Sequence, residues 1–294
     1  MSRDYAFPKA VDWEDLSDKR KAQIDLSKYV IQPKLDGCAM VIRCVNGKVT
    51  AETGSGKPVL SMDHIVDRII MAVALIEPGV GDFIICGEVW APGLPFAEIS
   101  GAFRRHSEQR HLQFHAWDYV CIPDDYASWK YRVLRQLHSH FPWIPVVRQT
   151  GVYGRGLEAA KYEASDLVEL GCGYDGVILR DPTAPWFTGR SKGEVIKIKP
   201  LVSMDLEVIG VEDGCGKETG RITASLVCRI SKSSGLTQKV STGMTHAQQP
   251  DAVENPHNWI GKIVEVEGMG FTADDLIREP RFKGVRDDKL VADS

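Results

Sequence analysis

The sequence has no run of apolar residues long enough to span a bilayer, although 43% of its 294 residues are hydrophobic. Residues 1–21 are mixed in charge and lack an apolar stretch, so the sequence does not predict a signal peptide. The seven cysteines form no C-x-x-C pair and have no regular spacing. This pattern argues against a disulfide framework and a zinc site, and it favours reduced thiols in a cytoplasmic protein.

An excess of positive charge is also missing, since the formal net charge is −4 at pH 7. The total does not predict a polyanionic partner, but local patches decide such binding more than the sum does. Five basic residues lie within residues 278–289, and Arg104 and Arg105 form a second, smaller basic point. These two segments are the candidate contacts for a polyanion.

Strand-like runs alternate with helical patterns up to about residue 200, and strand-like runs dominate after it. Apolar, β-branched runs predict the first strands: YVIQPKL, AMVIRCV, FIICGEVW, LQFHAWDYV, DGVILRD and VIKIKP. Apolar residues at three-to-four spacing predict helices over residues 62–77, 131–141 and 157–171. Short strands separated by Gly- and Ser-rich turns predict a small all-β barrel. We therefore expect an α+β protein with a mostly antiparallel first domain, residues 1–202, and a β-barrel domain, residues 203–294.

Lys34 stands at an unusual place, where an apolar strand meets a turn. It lies in VIQPKLDGCAMVIR, residues 30–43, whose flanks predict two strands. Asp36-Gly37 is a tight-turn signal, and Pro33 keeps the residue before it extended. A lysine in this setting is either a surface side chain whose ammonium reaches solvent or a reactive amine.

Five further motifs follow Lys34-Leu35-Asp36-Gly37 along the chain. In order, they are GEVW at Glu88, FHAWD at Trp117, DGVILR at Asp175, KIKP at Lys197 and Lys199, and RDDK at Arg286. In order and spacing, the six motifs resemble those of small, bacteriophage-like ATP-dependent DNA ligases, which belong to the covalent nucleotidyltransferase superfamily. The resemblance runs from about residue 29 to the C-terminus. It implies a nucleotidyltransferase (adenylylation) domain of antiparallel sheets with flanking helices, followed by an OB-fold domain.

The resemblance implies a three-step reaction with ATP as the adenylate donor. Lys34 attacks the α-phosphate of ATP and forms lysyl-AMP, while pyrophosphate leaves. AMP then passes to the 5′-phosphate at a nick in duplex DNA, and the neighbouring 3′-hydroxyl displaces AMP and seals the strand. The resemblance further implies a monomer that encloses nicked DNA with its two domains. Such an enzyme serves DNA replication, repair and recombination in a bacterial cell or a phage-infected host.

The resemblance also assigns roles to other residues. Asp36, Lys197 and Lys199 join Lys34 in catalysis, and Glu88 and Asp175 are the implied Mg²⁺ ligands. The residues implied to bind the nucleotide are Gln32, Lys34, Gly37, Glu88, Trp117, Lys197, Lys199, Arg286 and Lys289. The residues implied to grip DNA are Arg104, Arg105, Arg278, Arg281 and Lys283.

The pKa of Lys34 is central to this chemistry, because an amine is a nucleophile only after it loses its proton. The ordinary pKa of a lysine is about 10.4. Burial and nearby positive charge lower it, so we expect Lys197 and Lys199 to lower the pKa of Lys34. The same two lysines can neutralise a triphosphate.

Three positions depart from the family's motifs. Ala39 and Gly54 stand where the family often has arginine, and Asp175 stands where it usually has glutamate. Arg43, four residues beyond Ala39, is a candidate replacement for the first arginine. These departures affect single phosphate, ribose or metal contacts rather than the reaction class.

Alternative interpretations remain for the motifs and for the function. Lys34, Lys197 and Lys199 are alternatively solvated surface lysines, and Trp117 is alternatively a core residue. GSGK at residues 54–57 is not a P-loop, because flanking residues break the full pattern. An RNA ligase or a GTP-dependent capping enzyme is the first alternative function. A non-catalytic nucleic-acid-binding barrel is the second.

Overall fold

The chain folds into two compact units. The computed structural model describes residues 7–122, 127–145, 150–151, 156–215, 222–231, 233–272 and 274–293. The division lies between Lys199 and Pro200, close to the boundary that the sequence predicts. Among the described residues, no helix is both long and apolar enough to cross a membrane.

The first unit contains two large sheets that are mostly antiparallel. Its strands are β1 (Pro8–Lys9), β2 (Val11–Asp12), β3 (Val30–Leu35), β4 (Cys38–Val45), β5 (Lys48–Thr53), β6 (Asp82–Trp90), β7 (Gln113–Ile122), β8 (Thr150–Gly151), β9 (Tyr174–Arg180), β10 (Gly189–Arg190) and β11 (Val195–Ile198). The five-stranded sheet has the order β2-β11-β9-β3-β8, and the four-stranded sheet has the order β5-β4-β6-β7. Within this unit, β1–β10 and β2–β11 are parallel pairs, and the other strand pairs are antiparallel.

Helices flank these sheets, as the sequence predicts. They are α1 (Asp18–Lys21), α2 (Asp63–Ile76), α3 (Phe96–Phe103), α4 (Ala127–His140) and α5 (Gly156–Glu169), with a 3-10 turn at Leu26–Lys28. The three predicted helices correspond to α2, α4 and α5, whereas α3 was not predicted. On α2, Ile65, Ile69 and Val73 are buried at the three-to-four spacing that marked the helix. Gly171 follows α5 with φ +64°, a conformation that suits the end of a helix.

The core of the first unit divides between its two sheets. Met40, Ile42 and Ile85 belong to a large cluster against the four-stranded sheet, and α2 packs into the same cluster. A second cluster around Ile31 and Val177 belongs to the five-stranded sheet. The apolar runs of the sequence are therefore buried strands, and the chain between β3 and β4 connects two different sheets.

The second unit is a small barrel. Its elements are β12 (Val202–Cys215), β13 (Ile222–Arg229), β14 (Thr237–Val240), α6 (Gln248–Glu254), a 3-10 turn at Pro256–Asn258, β15 (Ile263–Gly268) and β16 (Arg281–Val285). The strand order is β14-β13-β12-β15-β16. A parallel bridge between Thr242 and Arg281 joins the two ends of this sheet. The barrel matches the prediction, and α6 adds a helix that the sequence did not predict.

Candidate active site

The turn after Lys34 carries the chain from one sheet to the other. Strand β3 ends at Leu35, and β4 begins at Cys38 on the four-stranded sheet. A Cβ at Gly37 would lie 2.4 Å from the carbonyl oxygen of Val89, so only glycine fits this crossing. Asp36 is fixed by its backbone N–H, which donates to the carbonyl of Gly173 at 3.0 Å. The Asp-Gly pair therefore aligns the two sheets around Lys34.

Lys34 lies in a cluster of charged side chains drawn from three strands and their ends. Its Nζ is 2.6 Å from Oδ2 of Asp175, at the start of β9. The Nζ of Lys199, just beyond β11, lies 2.8 Å from the same oxygen. Asp175 is buried, and only 11% of the Lys199 side chain is exposed. Two ammonium groups thus share one buried carboxylate.

Glu88 brings a second carboxyl group to this cluster from the four-stranded sheet. The backbone N–H of Gly37 donates to it, which ties Glu88 to the crossing turn. Burial raises the pKa of Glu88 to about 7, because the pull of Lys34 is too weak to offset desolvation and the neighbouring carboxylates of Asp36 and Asp175. Glu88 therefore holds its proton more tightly than an ordinary glutamate.

The pKa of Lys34 differs from the expectation. Burial acts to lower it, but the carboxylates of Asp175, Glu88 and Asp36 outweigh burial and raise the pKa above its ordinary value. The expected effect of Lys197 and Lys199 fails because both are paired, Lys197 with Asp12 at 2.7 Å and Lys199 with Asp175. In this state Lys34 is an ammonium ion.

A pocket lies between the two sheets, and Lys34 lines it. Residues from the five-stranded sheet that line it include Gln32, Ile178 and Val195, while Ala39, Glu88 and Trp117 come from the four-stranded sheet. Because side chains alternate along a strand, Gln32 and Lys34 lie on the same face of β3. Gln32 is buried, and its amide donates to the carbonyl of Trp117 at 3.4 Å.

Trp117 lines this pocket at an irregular point of its strand. The register between β6 and β7 shifts there, because Cys86 lies opposite Asp118 and Gly87 lies opposite Ala116. Trp117 is the extra residue of this bulge, which turns its side chain differently from the regular alternation. Phe114, three residues earlier on β7, is fully buried.

Two pocket residues were missed at the sequence level. The guanidinium carbon of Arg180 lies 4.5 Å from the centroid of the Trp117 ring, and its Nε donates to Gln32. Phe7 makes an edge-on contact with Trp117, with ring centroids 5.4 Å apart. The alternation of β9 after Ile178 could have revealed Arg180, which lies two residues further on. Phe7 gave no signal, because it lies outside every motif and 27 residues before Lys34.

Phe7 also occupies space that a side chain at Gly54 would need. A Cβ built at Gly54 would lie 2.9 Å from the Phe7 ring. Gly54 thus leaves room for the aromatic wall of the pocket. An arginine at this position would have to displace that ring.

Arg43, the candidate replacement for the arginine missing at Ala39, pairs with a neighbouring strand. Its Nε lies 3.7 Å from Glu52 on the neighbouring strand, and it lines neither of the two pockets described for this unit. Ala39 and Arg43 are four residues apart, roughly 13 Å along a strand at about 3.3 Å per residue. The structure therefore does not bring Arg43 to the space beside Ala39.

Arg104 and Arg105 lie at the end of α3, where they are exposed. They line a second cleft, together with Lys57, His106 and Ala39. Ala39 thus belongs to both the pocket and the cleft. The structure brings the smaller predicted basic point next to the Lys34 pocket.

The remaining predicted residues lie in the second unit. Nη1 of Arg286 donates to both carboxylate oxygens of the buried Asp205, at 3.2 Å each. Lys289 pairs with Asp205 as well. Arg286 also binds Asp288, whose pKa falls to about 2 chiefly through that hydrogen bond. Arg286 and Lys289 of the predicted basic segment are therefore paired with carboxylates of the same unit.

The predicted DNA-gripping residues of this unit are Arg278, Arg281 and Lys283. Arg281 and Lys283 are exposed on β16, and Lys283 pairs with Glu267 at 2.8 Å. Arg278 precedes this strand and is half-buried. The buried neighbour Phe282 anchors the segment against Trp259, with ring centroids 5.9 Å apart.

Comparison with known proteins gives these features a context. A family model described as the DNA ligase OB-like domain matches residues 213–286. A DNA ligase from Halorubrum lacusprofundi is 28% identical over 267 residues, which cover 80% of this chain and 44% of that protein. The chain thus spans less than half the length of that relative. These matches confirm the predicted resemblance to DNA ligases and the OB-like nature of the barrel.

Two solved structures share the fold. One, from a study of DNA binding by the minimal Lig E DNA ligases, has a TM-score of 0.68 and 21% identity, covering 95% of this chain and 98% of that chain. The other is the ATP-dependent DNA ligase from bacteriophage T7 in complex with ATP, with a TM-score of 0.53 and 18% identity over 95% of this chain and 98% of that one. The likeness extends over nearly the whole chain and confirms the predicted α+β fold.

Proposed function

We propose that the protein is an ATP-dependent DNA ligase that seals 5′-phosphate/3′-hydroxyl nicks in duplex DNA through a lysyl-AMP intermediate. The observation that carries the proposal is the Lys34 amine, held 2.6 Å from Asp175 in a pocket between the two sheets. Its sequence relatives are DNA ligases, and one structure of the same fold holds ATP. Such an enzyme would serve replication, repair and recombination in the cytoplasm of a bacterial cell or an infected host.

The pocket offers an apolar and a charged end, which suits a nucleotide. Trp117 and Phe7 form aromatic walls, and aromatic rings stack on purine bases. Lys34 and Glu88 lie at the charged end. We propose that adenine lies against Trp117 and that the α-phosphate approaches Lys34.

The first step forms a bond between Nζ of Lys34 and the α-phosphorus of ATP, and it breaks the bond from that phosphorus to pyrophosphate. Lys34 must lose one ammonium proton before it attacks and a second as the P–N bond forms. We propose that Asp175 Oδ2, which accepts its hydrogen bond, takes the first proton and that the departing pyrophosphate takes the second. Lys199 touches the same oxygen and brings a second ammonium group to it. We propose that Lys199 offsets negative charge at the phosphates, and that Asp36, through its backbone bond to Gly173, holds the turn that aims Lys34.

Mg²⁺ fits this pocket as a partner of the nucleotide rather than as an ion held by protein ligands alone. Glu88 and Asp175 both act on Lys34, so their carboxylates lie near each other. Among the described residues, no group of three or more acidic, cysteine or histidine side chains has the geometry of a metal site. Mg²⁺ commonly binds through one or two carboxylates plus phosphate oxygens, which is what this donor set allows. When bound there, it would offset the carboxylates that raise the pKa of Lys34.

Two transfers complete the reaction. An oxygen of the DNA 5′-phosphate attacks the AMP phosphorus, which forms a P–O–P linkage and releases the Lys34 amine. The 3′-hydroxyl then attacks the 5′-phosphorus, forms the phosphodiester bond and expels AMP. We propose that Arg278, Arg281 and Lys283 bind DNA phosphates. We propose that Arg286 and Lys289 release Asp205 and bind the oxygens of pyrophosphate instead.

The test uses Mg²⁺ with radiolabelled ATP or GTP, followed by a denaturing gel. We expect label from ATP that survives boiling and that is absent in Lys34→Ala. Label from GTP alone would favour a capping enzyme, and no covalent label from either nucleotide would refute the enzyme proposals. Nicked duplexes with DNA or RNA on the 3′ side then distinguish a DNA ligase from an RNA ligase.

A further inference from the structure

The Lys34 pocket holds a second group of polar side chains, further along its strands than Lys34 itself. Gln32 lies on the same face of β3 as Lys34, about 7 Å away at about 3.3 Å per residue. Arg180 lies further still, because its partner across the β9–β3 pair is Val30. Gln32 and Arg180 both line the pocket. With a phosphate at Lys34, the base of a nucleotide would lie toward these two side chains.

The guanidinium of Arg180 is held by contacts with both sheets. Its Nε donates to Oε1 of Gln32 on the five-stranded sheet. On the four-stranded sheet, its Nη1 lies 3.7 Å from Oδ2 of Asp118, and its carbon lies 4.5 Å from the centroid of the Trp117 ring. Only 13% of the Arg180 side chain and 11% of the Asp118 side chain are exposed. The direction of this guanidinium is therefore set from within the protein.

These contacts allow one orientation of the Gln32 amide. Its Oε1 accepts from Arg180, and its Nε2 donates to the carbonyl of Trp117 at 3.4 Å. Rotating the amide by 180° would set its NH2 group against a guanidinium, which has only donors, and its oxygen against a carbonyl, which has only lone pairs. Gln32 is 1% exposed, so such mismatches would be costly. A carbonyl oxygen accepts up to two hydrogen bonds, so Oε1 can take a donor from a ligand besides Arg180.

Stability of the fold does not account for a guanidinium beside the aromatic walls of the pocket. Apolar side chains of similar volume in place of a buried ion pair are often equally stable or more stable. Stacking alone does not need a pocket either, because Arg68 of the same unit lies over the Trp143 ring at 4.1 Å and lines neither pocket nor cleft. What distinguishes Arg180 is its bond to an amide that lines the pocket.

We infer that Arg180 is a positioning residue for purine selection, which holds the Gln32 carbonyl as an acceptor toward the base and so favours adenine. The inference rests on the proposed function, in which ATP donates the nucleotide. Adenine carries an amino group at position 6, and its N–H can donate to a carbonyl oxygen. Guanine and hypoxanthine carry an oxygen there, which would face the lone pair of Oε1. A site built to pair with one group rejects an analogue that leaves its buried polar atom unpaired.

The test compares ATP with ITP, whose base has an oxygen in place of the amino group at position 6. The measurement is kcat/KM for covalent nucleotide transfer to the full chain with Mg²⁺. The wild type should prefer ATP by about tenfold or more. Arg180→Met should lose most of this preference, and Arg180→Lys, whose ammonium also has only donors, should keep more of it. The matched control is Arg68→Met, which removes an arginine–tryptophan stack outside the pocket and should leave the ratio unchanged.

A double-variant cycle separates positioning from a general loss of structure. Gln32→Met removes the acceptor and should lower the ratio of ATP to ITP use at least as far as Arg180→Met does. Because Arg180 acts through Gln32, Arg180→Met should lower the ratio no further once Gln32 is replaced. A mere loss of stability reduces the use of both nucleotides alike and leaves their ratio unchanged.

The outcomes that overturn the inference follow from this ratio. A wild type that uses ATP and ITP equally overturns it, as does a preference for ATP that persists in Arg180→Met. If Arg180→Met does not fold, Gln32→Met decides, and a wild-type ratio in that variant overturns the inference as well. If the wild type instead forms no covalent product with ATP at all, it is the proposed function that fails.

Discussion

The Lys34 pocket and the neighbouring basic cleft share Ala39 but treat charge in opposite ways. In the pocket, Lys34 and Lys199 meet on the single carboxylate of Asp175. In the cleft, Lys57 and Arg104 lie exposed, and the described part of the chain offers them no acidic partner. The pocket pairs its two lysines with a buried carboxylate, whereas the cleft leaves its basic side chains exposed to solvent.

The two regions differ in what it costs the fold to hold their charges. A half-buried lysine without a partner would lower the stability of the fold, so the pocket needs Asp175 as the partner of Lys34. Exposed cations are solvated by water, so unpaired cations in the cleft cost the fold little stability. If Lys34 is the nucleophile that we propose, its pairing with Asp175 has to be undone before it reacts.

Replacement of Lys34 should have the largest effect. Lys34→Ala removes the nucleophile, and Lys34→Arg retains the positive charge beside Asp175 but cannot lose its proton at neutral pH. Both variants should form no lysyl-AMP above background on a denaturing gel. Lys48→Ala, at the exposed start of β5, should label like the wild type. Covalent adenylylation of Lys34→Arg would contradict the role of Lys34 as nucleophile.

Loss of Asp175 should have the second largest effect, because Asp175 is the shared partner of Lys34 and Lys199. Asp175→Asn leaves the ammonium groups of Lys34 and Lys199 together without their carboxylate, and removing one partner of a buried ion pair costs about 3–5 kcal/mol. Because Lys34 is partly exposed, we expect a loss near the lower end, measured by chemical denaturation, together with slower nick sealing. Asp12→Asn, which frees only the more exposed Lys197, should cost less. Normal sealing by Asp175→Asn at low Mg²⁺ would refute the role of Asp175.

Removal of the aromatic wall should affect nucleotide binding more than DNA binding. Stacking of a base on an aromatic side chain is worth about 1–3 kcal/mol, so Trp117→Ala should raise the KM for ATP about tenfold or more. Trp117→Phe should keep most of the affinity, and Phe7→Ala should have a smaller effect because its ring meets Trp117 by the edge. If Trp117→Ala lowers stability and leaves the KM unchanged, Trp117 is a core residue only.

The smallest effect concerns the salt dependence of DNA binding. Each phosphate that a lysine neutralises contributes about −0.9 to the slope of log affinity against log salt concentration. Lys57→Ala should therefore make this slope shallower by about one, while Lys48→Ala at the other end of the same hairpin should leave it unchanged. Equal slopes for wild type and Lys57→Ala would show that the cleft does not contact phosphate.

Much of the fold could be predicted from the sequence, because apolar alternation and three-to-four spacing are local signals. The strands around Lys34, Glu88 and Asp175 were predicted in this way, and the barrel followed from its short strands and turns. The direction of the pKa shift of Lys34 could not be predicted, because it depends on ion pairs between residues that are distant in the sequence. Lys197 forms an ion pair with Asp12, and Lys199 forms an ion pair with Asp175.

The parts of the site that escaped prediction depend on long-range packing. Phe7 reaches the pocket because Gly54 leaves it space, and no local pattern links these two positions. The cleft forms because α3, a helix that was not predicted, brings Arg104 opposite Lys57. Trp117 lies at a bulge of β7, so regular alternation along the strand would have placed its side chain wrongly.

The central claim is that the paired amine of Lys34 is the group that carries AMP. Peptide mass spectrometry of the full chain after reaction with ATP and Mg²⁺ tests it most directly. We predict one AMP adduct, on the peptide that contains Lys34 and on that lysine. An adduct on Lys199, Lys197 or Lys57 instead, or an unmodified chain, would contradict the account.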